Sequence, residues 1–124
     1  MILFTAKYSI ELYEKANRET PVLEFILTLS PKQQAKIYRE IDLLAKFGFD
    51  LRYPHVCKIK EKKYDGLWEL RVRLSSNIFR IFYFYPQYNK VILLHGIVKK
   101  KDKTPKNELG VALFRMKDYL EREN

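Results

Sequence analysis

The spacing of apolar positions changes period along the chain. Between Lys7 and Tyr13, Tyr8, Ile10 and Leu12 share one parity, the pattern of a strand with one face buried. The stretch ETPVLEFILTL then sets Val22, Phe25, Ile26 and Leu29 at helical spacing. Ahead of them stand Thr20, an N-cap residue, and Pro21, which suits a first helical position because the N–H it lacks has no partner there. SPKQQAKIYREIDLLAKFG repeats this grammar more fully. Ser30 and Gln33 have capping-box spacing, Pro31 takes the first turn, Ile37, Ile41, Leu44 and Ala45 form an apolar stripe, and Gly48 closes the helix after about four turns. Two helices with a tight connection after a first strand predict a helical hairpin laid on one face of a sheet.

Beyond residue 50 the period becomes two. Residues 67–74, 78–85 and 90–99 read as strands, joined by SSN and PQYN, and make an antiparallel meander. HVCKIKEKKYDG before them is either an edge strand or a basic loop. TPKNELGVALFRMKDYLEREN opens on Thr104 and Pro105 and carries Leu109, Ala112, Leu113, Met116 and Leu120 on one helical face, with Gly110 an unfavourable interruption. The expected fold is α+β: an N-terminal strand and helical hairpin packed on an antiparallel sheet, then a C-terminal helix, all in one domain spanning residues 1–124.

Charge alters this picture. In strand 67–74, Trp68, Leu70, Val72 and Leu74 face one way while Glu69, Arg71 and Arg73 face the other. In the next strand Arg80 shares its parity with Phe82 and Phe84, and Ile81, Tyr83 and Tyr85 take the opposite one. Antiparallel pairing brings Arg71, Arg73, Arg80 and Lys99 or Lys100 onto the sheet face away from the helical hairpin. Like charges gathered there repel, and burying them unpaired is costly, so a polyanion is the natural counterpart. A formal charge of +9, from 24 basic against 15 acidic residues, points the same way. Arginine forks match phosphate oxygens in pairs, and Tyr83, Tyr85 or Tyr53 nearby would stack on bases. The local alternative is that Glu69 pairs with Arg71 or Arg73 and that Arg80 is a satisfied structural residue.

Other chemistries find little support. Cys57 is the only cysteine, and with His55 and His95 the only histidines there is no ligand set of zinc type, so no metal or other cofactor is expected. His95 lies mid-strand among apolar neighbours and reads as structural, and His55, beside Pro54, reads as a loop residue without a role. No apolar run approaches the length of a signal core or a bilayer span, so a soluble, cytoplasmic protein without membrane contact is expected.

GLWELRVRLSSNIFRIFYFY, followed by VILLHGIVKKKDKTPKNEL, resembles the RelE superfamily of bacterial toxins, within it the HigB or phage Gp49-like branch. The similarity runs through the helix pair, the basic meander, the KK strand end, TP and the terminal helix. It implies the toxin of a toxin–antitoxin pair, a metal-independent endoribonuclease that cuts mRNA in the ribosomal A site and stops translation. The implied partners are a HigA-like helix-turn-helix antitoxin, mRNA and the ribosome, with operator DNA reached only through the antitoxin. By the same resemblance Arg71 and Arg73 fall on the basic strand before the central one, Arg80 on the central-strand arginine, and Lys99 and Lys100 near the basic group ending the last strand. Lys58, Lys60, Lys62, Lys63, Lys101 and Lys103 are assigned to RNA binding. Where some relatives carry a catalytic tyrosine on the last helix this chain reads KNELGVALF, and Tyr119 falls too late to match.

In-line attack by a 2′-hydroxyl concentrates negative charge on the phosphorane oxygens, which preorganised cations stabilise. That role goes first to Arg80, with Arg73 and Arg71 assisting or gripping the backbone. Arginine, always protonated, is excluded as general base; Lys99 or Lys100 can serve if neighbouring cations and desolvation favour its neutral form. Two alternatives stay open: a ParE-like toxin that binds gyrase, and a basic RNA-binding module without catalysis, whose affinity would fall steeply with salt.

Overall fold

A computed structural model describes residues 1–99 and 106–123. Its strands are β1 (Ile2–Thr5), β2 (Ser9–Leu12), β3 (Val56–Lys58), β4 (Trp68–Leu74), β5 (Asn77–Gln87) and β6 (Lys90–Lys99). They form one six-stranded sheet in the order β1-β2-β6-β5-β4-β3. Helices α1 (Pro21–Leu27) and α2 (Pro31–Phe47) cover one face, and α3 (Lys106–Glu123) packs on the other. The mixed α+β architecture expected from the sequence is present, with two differences at the N-terminus.

The strand expected over Lys7–Tyr13 is present as β2, starting only at Ser9, and an additional strand, β1, precedes it and pairs with it as an antiparallel hairpin. Tyr8 leaves the ladder because its N–H donates to the Ala45 carbonyl of α2 at 2.8 Å, while its ring is buried beneath that helix. The sheet is also not wholly antiparallel, since β2 runs parallel to β6, pairing Ile10 with Val91 and Leu12 with Leu93. The meander β4-β5-β6 is antiparallel throughout, and HVCKIKEKKYDG supplies both an edge strand, β3, and a basic turn over Lys62–Tyr64.

Local signals set the helix ends. Thr20 occupies the N-cap of α1 without a side-chain bond, and Pro21 opens the helix. At α2 the capping box is complete: Gln33 N–H donates to Ser30 Oγ at 3.2 Å and Ser30 N–H to Gln33 Oε1 at 3.0 Å. Gly48 ends α2 at a φ of 45°, where a Cβ would lie 2.1 Å from the Tyr8 ring, so conformation and space both demand glycine.

Strand alternation separates two cores. Ile10, Val72, Ile81, Tyr83 and Leu93 face the helical hairpin, whereas Phe82, Phe84, Ile92 and Leu94 meet Leu109, Ala112 and Met116 of α3. Leu120, expected on that buried stripe, is 39% exposed. The last turn of α3 is fastened by polar bonds instead: Tyr13 Oη donates to Asp118 at 2.6 Å, and Arg122 donates to the Glu14 carbonyl. Among the described residues no helix is long and apolar enough to cross a membrane.

Candidate functional site

The register of the meander decides which charged side chains meet. Arg71 of β4 faces Arg80 of β5, which faces Ile97 of β6; one row further on, Arg73 faces Ile78, which faces Lys99. Rows two residues apart on one face lie about 7 Å from each other. All four cations therefore sit on the face of α3, opposite the helical hairpin, beyond the Phe82–Phe84 rows on which that helix packs.

The four differ in access. Arg73 is exposed and Lys99 half-buried, Arg71 retains 9% of its surface and Arg80 only 2%. Glu69, itself buried, lies diagonally across from Arg80 and accepts from its guanidinium at 2.5 Å. Glu69, which the local alternative pairs with Arg71 or Arg73, accepts from the deeper arginine, and this gives Arg80 a structural partner.

The loop between the short turn at Gly48–Asp50 and β3 wraps the edge of the sheet from the helical side to the arginine side. His55 fastens it: its Nδ1 lies 2.8 Å from Glu40 Oε1, and its carbonyl accepts from the Arg71 N–H at 2.8 Å. Glu40 is buried, and Lys36 Nζ approaches its other oxygen at 3.7 Å. His55 is therefore an anchor, contrary to its reading as a loop residue without a role. The Tyr53 ring, 69% exposed, has the Arg71 guanidinium carbon 5.8 Å from its centroid. Glu40 was missed in the sequence, although a carboxylate three residues after Ile37 on the apolar stripe of α2 marks a buried charge in need of a partner.

Other expected residues lie elsewhere. Tyr83 and Tyr85 point into the hairpin-side core, where Tyr85 stacks on Phe49 at 3.9 Å and burial pushes both phenols well above their usual pKa. They are not placed to stack on bases at the arginine face, because strand alternation sends them to the other side. Lys58 pairs with Trp68 on that same hairpin face, its Nζ 6.0 Å from the indole. Lys60, Lys62 and Lys63 are exposed around the turn that leads into Tyr64, near the start of β4, whereas Arg73 lies five residues along it, roughly 16 Å away. Lys100, Lys101 and Lys103, like Thr104 and Pro105, lie outside the described residues.

His95 is held on both ring nitrogens, with Nε2 3.0 Å from Glu108 Oε1 and Nδ1 3.2 Å from an Arg115 nitrogen. Arginine donates only, so Nδ1 accepts and Nε2–H donates to Glu108. Burial, with Arg115 assisting against the pull of Glu108, holds the imidazole below its usual pKa. Tyr119 packs on Phe84, four residues from Arg80 along β5, and is remote from the cationic rows. Among the described residues no three His, Cys, Asp or Glu side chains are grouped to hold a metal ion.

A helical hairpin and a terminal helix on opposite faces of a mostly antiparallel sheet make a RelE-like fold. The family model described as Phage derived protein Gp49-like (DUF891) matches residues 24–117, and the chain belongs to that family, part of the RelE-related toxin–antitoxin group. Membership points to the toxin of such a pair, and hence to an antitoxin as partner. Comparison with curated proteins finds no match.

Proposed function

We propose that this protein is a HigB-type toxin, a ribosome-dependent endoribonuclease that cuts mRNA in the A site without a metal ion. The observation that carries the reading is the pair of cationic rows, Arg71 facing Arg80 and Arg73 in line with Lys99, built into the centre of the sheet. In the reaction the 2′-oxygen bonds to the adjacent phosphorus as the P–O5′ bond breaks, leaving a 2′,3′-cyclic phosphate and a 5′-hydroxyl. Negative charge grows on the non-bridging oxygens, where guanidinium donors act most strongly. Arg73, the exposed member, grips the phosphate; Arg71 meets the developing charge; Arg80, held by Glu69, supplies positive potential from beneath. Lys99, or Lys100 beyond it, accepts the 2′-hydroxyl proton as the neutral amine, and the departing 5′-oxygen takes its proton from water. The ribosome fixes the message in the reactive geometry, an orientation effect worth several kcal/mol. A HigA-like helix-turn-helix antitoxin neutralises the toxin.

The test is mapping of mRNA ends in a reconstituted bacterial translation reaction, with a ribosome-free control. Arg73→Ala is the informative variant because an exposed side chain can be removed without disturbing the core. Loss of a charged contact at the transition state lowers cleavage about 10- to 150-fold. New ends that need both the ribosome and Arg73 support the nuclease. A toxic protein that produces no new ends moves the gyrase or binding-module alternative ahead.

A further inference from the structure

Tyr53 is a large aromatic residue left 69% exposed at the rim of the cationic rows, and two features fix it there. Its inner face carries the Arg71 guanidinium. Its loop is tied by His55, whose side chain meets the buried Glu40 and whose carbonyl takes the Arg71 N–H. One residue thus connects α2, the loop and the strand that carries Arg71. A side chain held by packing and second-layer bonds offers a preformed surface at little further ordering cost. An aromatic ring with a cation on one side and solvent on the other stacks on an unpaired base, which brings its phosphate towards the cation.

We propose that Tyr53 is the base-stacking residue of this site. It receives the nucleobase next to the scissile phosphate of single-stranded RNA, and Glu40 and His55 are positioning residues that hold it over Arg71. The proposal rests on the nuclease reading and adds a substrate contact to it. Tyr83 and Tyr85, turned into the opposite core, do not share the role.

Two measurements separate the proposal from the reading beneath it. The first uses a non-cleavable single-stranded RNA oligonucleotide, 2′-deoxy at the reacting ribose, with 2-aminopurine as the flanking base, whose fluorescence falls on stacking. The wild type and Tyr53→Trp quench it, and Tyr53→Ala does not. The second is cleavage on the ribosome, where Tyr53→Ala raises KM about 5- to 150-fold, the range for loss of one stacked base, with kcat little changed. His55→Ala raises KM less, and the double variant is no worse than Tyr53→Ala alone, because both changes remove one contact. A purely structural role for His55 would instead add to the Tyr53 effect.

Quenching and KM both unchanged in Tyr53→Ala, while Arg73→Ala has lost cleavage, overturn the stacking role and leave the nuclease standing. Quenching that depends on Tyr53 in a protein that cuts nothing supports the stacking role and sinks the nuclease.

Discussion

Replacing Arg80 by methionine tests what the buried arginine does for the fold. Its guanidinium touches the Glu69 carboxylate at 2.5 Å, and both residues are buried. With about 4 Å between charge centres and an effective dielectric near 20, the pair attracts by about 4 kcal/mol. Arg71 stands directly opposite Arg80 and repels it. Taking roughly 7 Å between the two guanidinium centres, that repulsion offsets about 2 kcal/mol. Substitution therefore removes a net attraction of about 2 kcal/mol and leaves a buried carboxylate with one partner fewer. Arg71 and Arg73 remain nearby, which places the expected loss near 3 kcal/mol, the low end for a broken buried pair. For a chain of this size that is a fall in Tm of about 10 °C. Urea denaturation followed by the fluorescence of Trp68, the only tryptophan, reads the change directly. Glu69→Gln combined with Arg80→Met recovers about 2 kcal/mol relative to the sum of the single variants. A loss below about 1 kcal/mol for Arg80→Met at unchanged denaturant slope would refute a stabilising role for the Arg80–Glu69 pair. The result also bears on function, because inactivity of an Arg80 variant then reports a damaged sheet as readily as a missing catalytic charge.

The depressed pKa of His95 makes stability pH-dependent. The native imidazole stays neutral between Glu108, Arg115 and Phe82 while the unfolded one takes a proton below about 6.5, so the contribution is complete above that pH and is lost as pH falls towards the folded value. Thermal melts from pH 8 to 5.5 show the decline, and His95→Gln flattens it; an equal slope in both proteins counts against the assignment. Gly48→Ala forces a Cβ into the Tyr8 ring at a positive φ and costs about 3 kcal/mol from strain and overpacking together. A melt equal to that of the wild type would show that Tyr8 and the end of α2 yield more readily than their packing implies.

Much of the fold was legible because local and long-range signals agree. The capping box at Ser30 and Gln33, the glycine stop at Gly48 and the alternation from Trp68 to Leu74 each specify one local structure, and each appears. The N-terminal hairpin was not legible, since β1 has only four residues, its Ile2 is 62% exposed, and its pattern is too short to carry a period. The parallel pairing of β2 with β6 was hidden for another reason. It joins segments about eighty residues apart, and the alternation that marks a strand does not say which way its neighbour runs.

The candidate site divides along the same physical line. Parity put Arg71, Arg73 and Arg80 on one face with Lys99 or Lys100, because the meander turns are short and strand alternation has a period of two, and the register of β5 with β6 then selects Lys99. Parity equally excluded Tyr83 and Tyr85 from that face once Phe82 and Phe84 were assigned to it, and that deduction was open in the sequence. Depth was not open to it: nothing in FRIFY says that Arg80 is nearly enclosed while Arg73 is exposed, since that follows from where α3 and Glu69 come to rest. Among the described residues these rows hold Arg71, Arg73, Arg80 and Lys99, and Glu69 accepts from the deepest of the four. All four are carried by paired strands of the meander, whose ladder fixes their spacing. If the proposed nuclease function holds, a phosphate entering there meets donors already in place, the condition under which a charged donor favours a transition state rather than merely binding a ground state.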